Sequence, residues 1–226
     1  VGLLFLRSNP ALGAKPPKSA RSAGAAIRYW TTSELRPFLD ENRDHHHWPL
    51  WYLAANTGMR RGELLGLRWR DVDLATARLS IRTTILSVGY QITASDPKTS
   101  RGARTIELDP RTVQILRDHR VRQEEHRREL GDGYRDNDLV FARPDGSPHH
   151  PDLITQAFDR RVARTEVTRI RLHDLRHTHA TLLLMAGVPP KVVSERLGHA
   201  SVAFTMDIYA HVIPGMQATA ATTFAN

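Results

Sequence analysis

Residues 171–184 read RLHDLRHTHATLLL. We read them as a helix that Gly187 ends, a usual place for a C-terminal glycine. Successive helix residues turn by about 100°, which sets His173 about 40° from His177 and about 60° from Arg176. The three side chains share a face, and two chemistries compete for it. A zinc helix uses two histidines four apart with an acid beside the first, here His173, His177 and Asp174. A phosphate site uses His173 and Arg176. Three features weigh against zinc. The acid is Asp, one methylene shorter than the Glu such a helix needs; Arg176 on the ligand face repels a dication; and no third ligand is marked, although the run His45–His47 stands elsewhere in the chain. The phosphate reading is preferred, with no metal and no other cofactor. His177 and His179 read as ordinary helix histidines, His177 as a supporting group behind the site.

The composition favours a polyanionic partner. The chain has 226 residues, 32 Lys and Arg against 24 Asp and Glu, and a formal net charge of +8. Such a balance points to nucleic acid before membrane. There is no cysteine, which excludes disulfides, thiolate chemistry and cysteine-bound zinc. No apolar run reaches the roughly 18 residues of a membrane span. GLLFL near the start is too short for a signal-peptide core. A cytoplasmic, DNA-associated protein is expected. Of the 32 basic residues only Lys15, Lys18, Lys98 and Lys191 are lysines. Lys98 therefore sits where arginine is the habitual choice, which raises the question of what a lysine does there that an arginine cannot, beside the alternative of a turn lysine that binds phosphate as a point charge.

Along the chain, residues 1–27 read as the end of a preceding DNA-binding domain and a Pro-, Gly- and Ala-rich linker. Val1 in place of a starting Met agrees with a piece cut from a longer protein. Helices are expected over WTTSELRPFLD, with Thr31 and Glu34 as a capping box, and over WPLWYLAANTG, ended by Gly58. RRGELLGLRWRDVDL reads as a short helix and a turn. From Ala77 to Leu108 the texture alternates and is β-branched, which predicts an antiparallel sheet of about three strands with Lys98 in its second turn region. Helices follow over PRTVQILRDHRVRQEEHRREL, PDLITQAFDRRVART, the opening stretch, PPKVVSERLG and SVAFTMDIYAHV. The fold class is mainly α (α+β), a helical unit over 28–212 with one small sheet, then a tail over 213–226.

Two further motifs join the opening helix. NTGMRRGELLGLRW puts Arg60 after a glycine turn at a helix start, where N–H groups and the helix dipole favour an anion. LGHASVAFTMDIYAHV puts His199 after a helix end and Tyr209 further on. Taken together and in this order, TGMRRGELLGLRW, HDLRHTHAT, LGHAS and TMDIYAHV resemble the catalytic domain of the tyrosine recombinases, the phage integrase family. The resemblance runs from about Tyr29 to Val212, and the family's N-terminal DNA-clamping domain has no counterpart in this sequence. It implies six active residues, Arg60, Lys98, His173, Arg176, His199 and Tyr209, with Glu63 as a supporting acid. It also implies double-stranded DNA attachment sites as substrate, a homotetramer on DNA, and room for an accessory directionality factor. Residues after Tyr209 pack in cis or dock on a neighbouring subunit.

The residue types suit that chemistry. The Tyr209 oxygen attacks a DNA phosphodiester in line with the 5′ oxygen, giving a 3′-phosphotyrosyl ester that a 5′ hydroxyl later reverses without ATP. Arg60 and Arg176 are planar donors for the charge on the non-bridging oxygens, and His199 adds another. His173 is the expected proton acceptor for Tyr209. The leaving oxygen needs a proton, which a lysine gives far more readily than an arginine, so Lys98 is the expected general acid. Rival readings are a type IB topoisomerase-like enzyme, a DNA-binding regulator with a decayed site, and the zinc hydrolase already weighed.

Overall fold

The computed structural model describes residues 27–95 and 103–210. Lys98, the linker and the tail after Ala210 lie outside the described residues. Among these, helices dominate: α1 (Thr32–Glu41), α2 (Trp48–Thr57), α3 (Arg61–Leu65), α4 (Pro110–Leu130), α5 (Pro151–Val162), α6 (Asp174–Met185), α7 (Pro190–Leu197) and α8 (Val202–Tyr209). Their starts follow local chemistry. Glu34 folds back to accept from the Thr31 backbone N–H at 2.9 Å, the expected capping contact of α1. Asp109 accepts from the Thr112 N–H ahead of α4, and Ser201 from the Phe204 N–H ahead of α8. The α6 helix stops at Met185, and Gly187, at φ +82°, turns the chain away.

The strand region holds more than one sheet. β1 (Val72–Asp73), β2 (Arg78–Ile81) and β5 (Arg104–Glu107) form an antiparallel three-stranded sheet in the order β1-β2-β5. β3 (Thr84–Val88) and β4 (Gln91–Ser95) form a separate hairpin, with Val88 opposite Gln91. The continuous stretch ARLSIRTTIL is thus divided at Arg82–Thr83, and β1 comes from residues that read as a turn. Close packing marks the division. A Cβ on Gly62 would lie 2.6 Å from the Ile85 carbonyl oxygen, and one on Gly66 2.7 Å from that of Thr83. Gly62 on α3 and Gly66 just after it let the backbone at Thr83 and Ile85 close on the helix end, where a side chain would not fit.

Two apolar clusters hold the helices together. In the larger, the rings of Trp30, Phe38, Trp51 and Phe158 meet at 4.8 to 6.0 Å between centroids in tilted and edge arrangements. Such pairs add about 0.5–1.5 kcal/mol each beyond the area they bury. The smaller contains Ala180, Leu184, Val193, Leu197 and Tyr209. Helix α6 enters the first cluster through Leu175 and the second through Ala180 and Leu184, so it joins the two.

Gly58 closes α2 in the left-handed conformation, φ +65°, and packs against the end of α7. A Cβ there would meet Leu197 Cδ2 at 2.5 Å and His179 Cδ2 at 2.9 Å. Gly58→Ala combines a left-handed penalty of roughly 1–2 kcal/mol with overpacking. The expected outcome is a loss of about 2–4 kcal/mol of stability, read by urea denaturation; an unchanged midpoint would show that the α2–α7 contact is looser than described.

Candidate active site

Arg60 stands immediately before α3 in extended conformation, with its side chain 44% exposed. Glu63, one turn on, is 5% exposed and accepts from the Arg60 backbone N–H at 2.9 Å and from its Nη1 at 2.8 Å. Glu63 also takes a two-point contact from Arg104 on β5, at 3.1 and 2.9 Å. Burial alone would raise the Glu63 carboxyl; the Arg104 hydrogen bonds and charge, with Arg60 behind them, outweigh it and hold the group below the usual carboxylate range. The acid thus fixes two arginines from different elements.

Arg176 on α6 is 4% exposed. Its Nη1 donates to the Gly58 carbonyl and its Nη2 to the Leu197 carbonyl, each at 2.7 Å. These are the last carbonyls of two helix ends, so one guanidinium ties α2, α6 and α7 together. Burial, then the charges of Arg60 and Arg104, push its pKa down to about 9; it keeps its proton at neutral pH. A lysine has no planar fork to reach both carbonyls. Arg176→Lys is expected to lower the rate of any reaction at this cleft by about 10²-fold and to reduce thermal stability; full activity in a kinetic assay would remove Arg176 from the site.

His199 follows Gly198, which turns at φ +67° to end α7. The imidazole Nδ1 lies 2.8 Å from Thr205 Oγ1 and the ring is buried. Burial, followed by the charges of Arg176, Arg60 and Arg104, pushes its pKa down to about 3; the ring is neutral at physiological pH. His173 is the residue before α6, in helical conformation (φ −63°, ψ −28°), so the angular argument from the sequence holds although the helix proper starts at Asp174. Its ring is exposed at the cleft, and partial desolvation and Arg176 lower its pKa. The structure brings Arg60 and Arg176 within charge range of each other and of both His173 and His199.

Tyr209, at the end of α8, is 1% exposed. Its hydroxyl lies 2.7 Å from Nδ1 of His177, and the two rings are 5.8 Å apart. Burial pushes the phenol up to about 12 against the opposing pull of Arg176. The histidine that touches Tyr209 is therefore His177; the His173 ring stands 5.4 Å from that of His177, edge-on. His179 is structural, as read. Its Nδ1 is 2.9 Å from the Ala55 carbonyl oxygen and its Nε2 accepts from Arg196 at 3.1 Å. Asp174, the acid of the rejected zinc arrangement, accepts from the Arg171 backbone and from its Nε and Nη2 at 2.8 to 3.1 Å.

Two members of the cleft escaped the sequence reading, Arg104 and Thr205. Arg104 carried a signal. In β5 it stands two residues before buried Ile106 and so shares that residue's inward face, where an arginine requires a partner. Thr205 had no comparable signal.

Comparison with known proteins shows the family and the fold. The sequence pattern of the phage integrase family matches residues 33–215. The chain belongs to that family. It is 32% identical over 235 residues to a XerC-like tyrosine recombinase of Caldanaerobacter subterraneus subsp. tengcongensis, covering 97% of this chain and 60% of that protein. It is 30% identical over 193 residues to the ICEBs1 integrase of Bacillus subtilis, covering 84% of this chain and 52% of the integrase. The chain thus spans a little over half the length of these relatives. Among solved structures, the Tn1549 transposon integrase in complex with circular intermediate DNA matches with a TM-score of 0.74 at 21% identity, over 90% of this chain and 68% of that one. The XerA recombinase matches with a TM-score of 0.66 at 22% identity, over 89% and 66%. These two likenesses concern the fold. No helix among the described residues is long and apolar enough to cross a membrane.

Proposed function

We propose that the chain is the catalytic unit of a site-specific DNA recombinase, with Tyr209 as nucleophile and residues 28–212 as the working domain. The observation that carries the reading is the gathering of Arg60, Arg176 and His199 from three helix ends within range of one another's charge, with Arg176 also acting on Tyr209. Glu63 is shared between Arg60 and Arg104, and Arg60 and Arg176 lie within range of each other's charge, a pairing of planar donors that suits a phosphodiester. Arg60 and Arg176 are the donors to the non-bridging oxygens, and His173 and His199 add donors at the same phosphate. Tyr209 displaces the 5′ oxygen and forms a 3′-phosphotyrosyl ester. Lys98 gives the leaving oxygen its proton; its rarity in an arginine-rich chain supports that choice. The substrate is duplex DNA bearing attachment sites, acted on by four copies, with an accessory factor setting direction.

The test is a nicked attachment-site duplex that loses its 5′ fragment after cleavage. The protein is expected to become covalently joined to the 3′ end with a chelator present. Strand exchange between two such duplexes separates recombination from topoisomerase-like relaxation. A requirement for added zinc, or the absence of any adduct, overturns the reading.

A further inference from the structure

We propose that His177, and not His173, is the residue that orients the Tyr209 hydroxyl and takes its proton during attack. The inference rests on the reading of Tyr209 as nucleophile and deepens it. Geometry carries the assignment. His177 Nδ1 is 2.7 Å from the Tyr209 oxygen, a full hydrogen bond, whereas His173, at the exposed start of α6 with its ring 5.4 Å from that of His177, makes no hydrogen bond to Tyr209 among the described residues. Next to His177, Arg176 is pinned between the Gly58 and Leu197 carbonyls, which fixes the rotation of α6. The direction of His177 is thereby set by the same contacts that set the phosphate-binding arginine. Burial and the charge of His173 keep the His177 imidazole neutral at physiological pH, so a lone pair is available for the phenol.

The step balances as follows. The Tyr209 O–H bond breaks and its proton passes to Nδ1 of His177, with the other imidazole proton on Nε2. The oxygen pair forms the bond to phosphorus, the bond from phosphorus to the 5′ oxygen breaks, and that oxygen takes a proton from Lys98. Religation runs the same transfers backwards. His173 is then free to bind the phosphate with Arg60 and Arg176.

The test compares His177→Ala, His177→Asn and His173→Ala in single-turnover adduct formation across pH 6–9. An asparagine amide oxygen accepts the phenol hydrogen bond near the Nδ1 position but takes no proton. His177→Ala is expected to slow attack by about 10²- to 10⁴-fold, and His177→Asn to remain slow with a rate that rises with pH as the phenol ionises unaided. A substrate with sulfur in place of the bridging 5′ oxygen needs no proton on its leaving group. It is expected to rescue Lys98→Ala and leave His177→Ala slow. Rescue of His177→Ala by that substrate, a wild-type rate in His177→Ala, or a wild-type rate and profile in His177→Asn each overturns the proposal. If Tyr209→Phe still forms adducts, the underlying reading has failed instead, which the His177 variants alone would not show.

Discussion

Tyr209→Phe is expected to abolish the covalent protein–DNA adduct while leaving the fold and DNA binding in place. The substitution removes one oxygen and no carbon. The ring keeps its place against Ala180, Leu184, Val193 and Leu197, so the second apolar cluster stays filled. What is lost is the hydrogen bond to His177 Nδ1, a net effect of about 1 kcal/mol on stability. The chemistry has no such tolerance, because the nucleophile itself is gone. A denaturing gel of the protein with the nicked duplex reads the adduct, and fluorescence anisotropy reads binding. Undiminished adduct would mean that another residue attacks. Loss of binding with a collapsed melting transition would mean that Tyr209 serves mainly the core.

Local signals carried most of the fold. Pro110–Leu130 forms as one helix because a cap, a proline in the first turn and helix-forming residues all agree. Gly58 and Gly198 end their helices, as the sequence predicts, and both do so at positive φ. The division of the strand region was not legible. Nothing in ARLSIRTTIL marks where it leaves the sheet, since there the chain packs in space on Gly62 and Gly66, at and just after α3. The site divides along the same line. Arg60, His173, Arg176, His199 and Tyr209 stand in motifs at helix ends, where short-range spacing places them. The partnership of His177 with Tyr209 spans 32 residues and depends on how α6 and α8 pack; helical spacing along α6 alone offered no means to choose between His173 and His177.

Arg104 extends that lesson, because its energetic role depends on contacts that no local pattern reveals. Both members of the Arg104–Glu63 pair are under a tenth exposed, at 7% and 5%. Arg104 also donates from Nε to the Arg196 carbonyl at 2.8 Å, linking β5 to α7. Arg104→Ala leaves a buried carboxylate with, among the described residues, only Arg60 beside it, and the expected loss is about 3–5 kcal/mol. The double variant Arg104→Ala, Glu63→Gln removes the stranded charge as well and is expected to be more stable than the single one. The pH dependence gives the sign. Glu63 has a folded pKa below its unfolded value, so its ion pairs stabilise the fold above the ordinary carboxylate range, and that stabilisation fades as pH falls through the folded value. The gap between wild type and Arg104→Ala is therefore widest near neutrality and narrows in acid, where the stranded carboxyl takes a proton. Urea denaturation across pH 3–8 measures it. A constant gap, or a double variant no more stable than the single, would locate the energy in the packing of the arginine stem and not in its charge. The catalytic consequence follows from the same contact: Glu63 released from Arg104 no longer holds Arg60 in a fixed direction, so the rate falls even under conditions where the variant is folded.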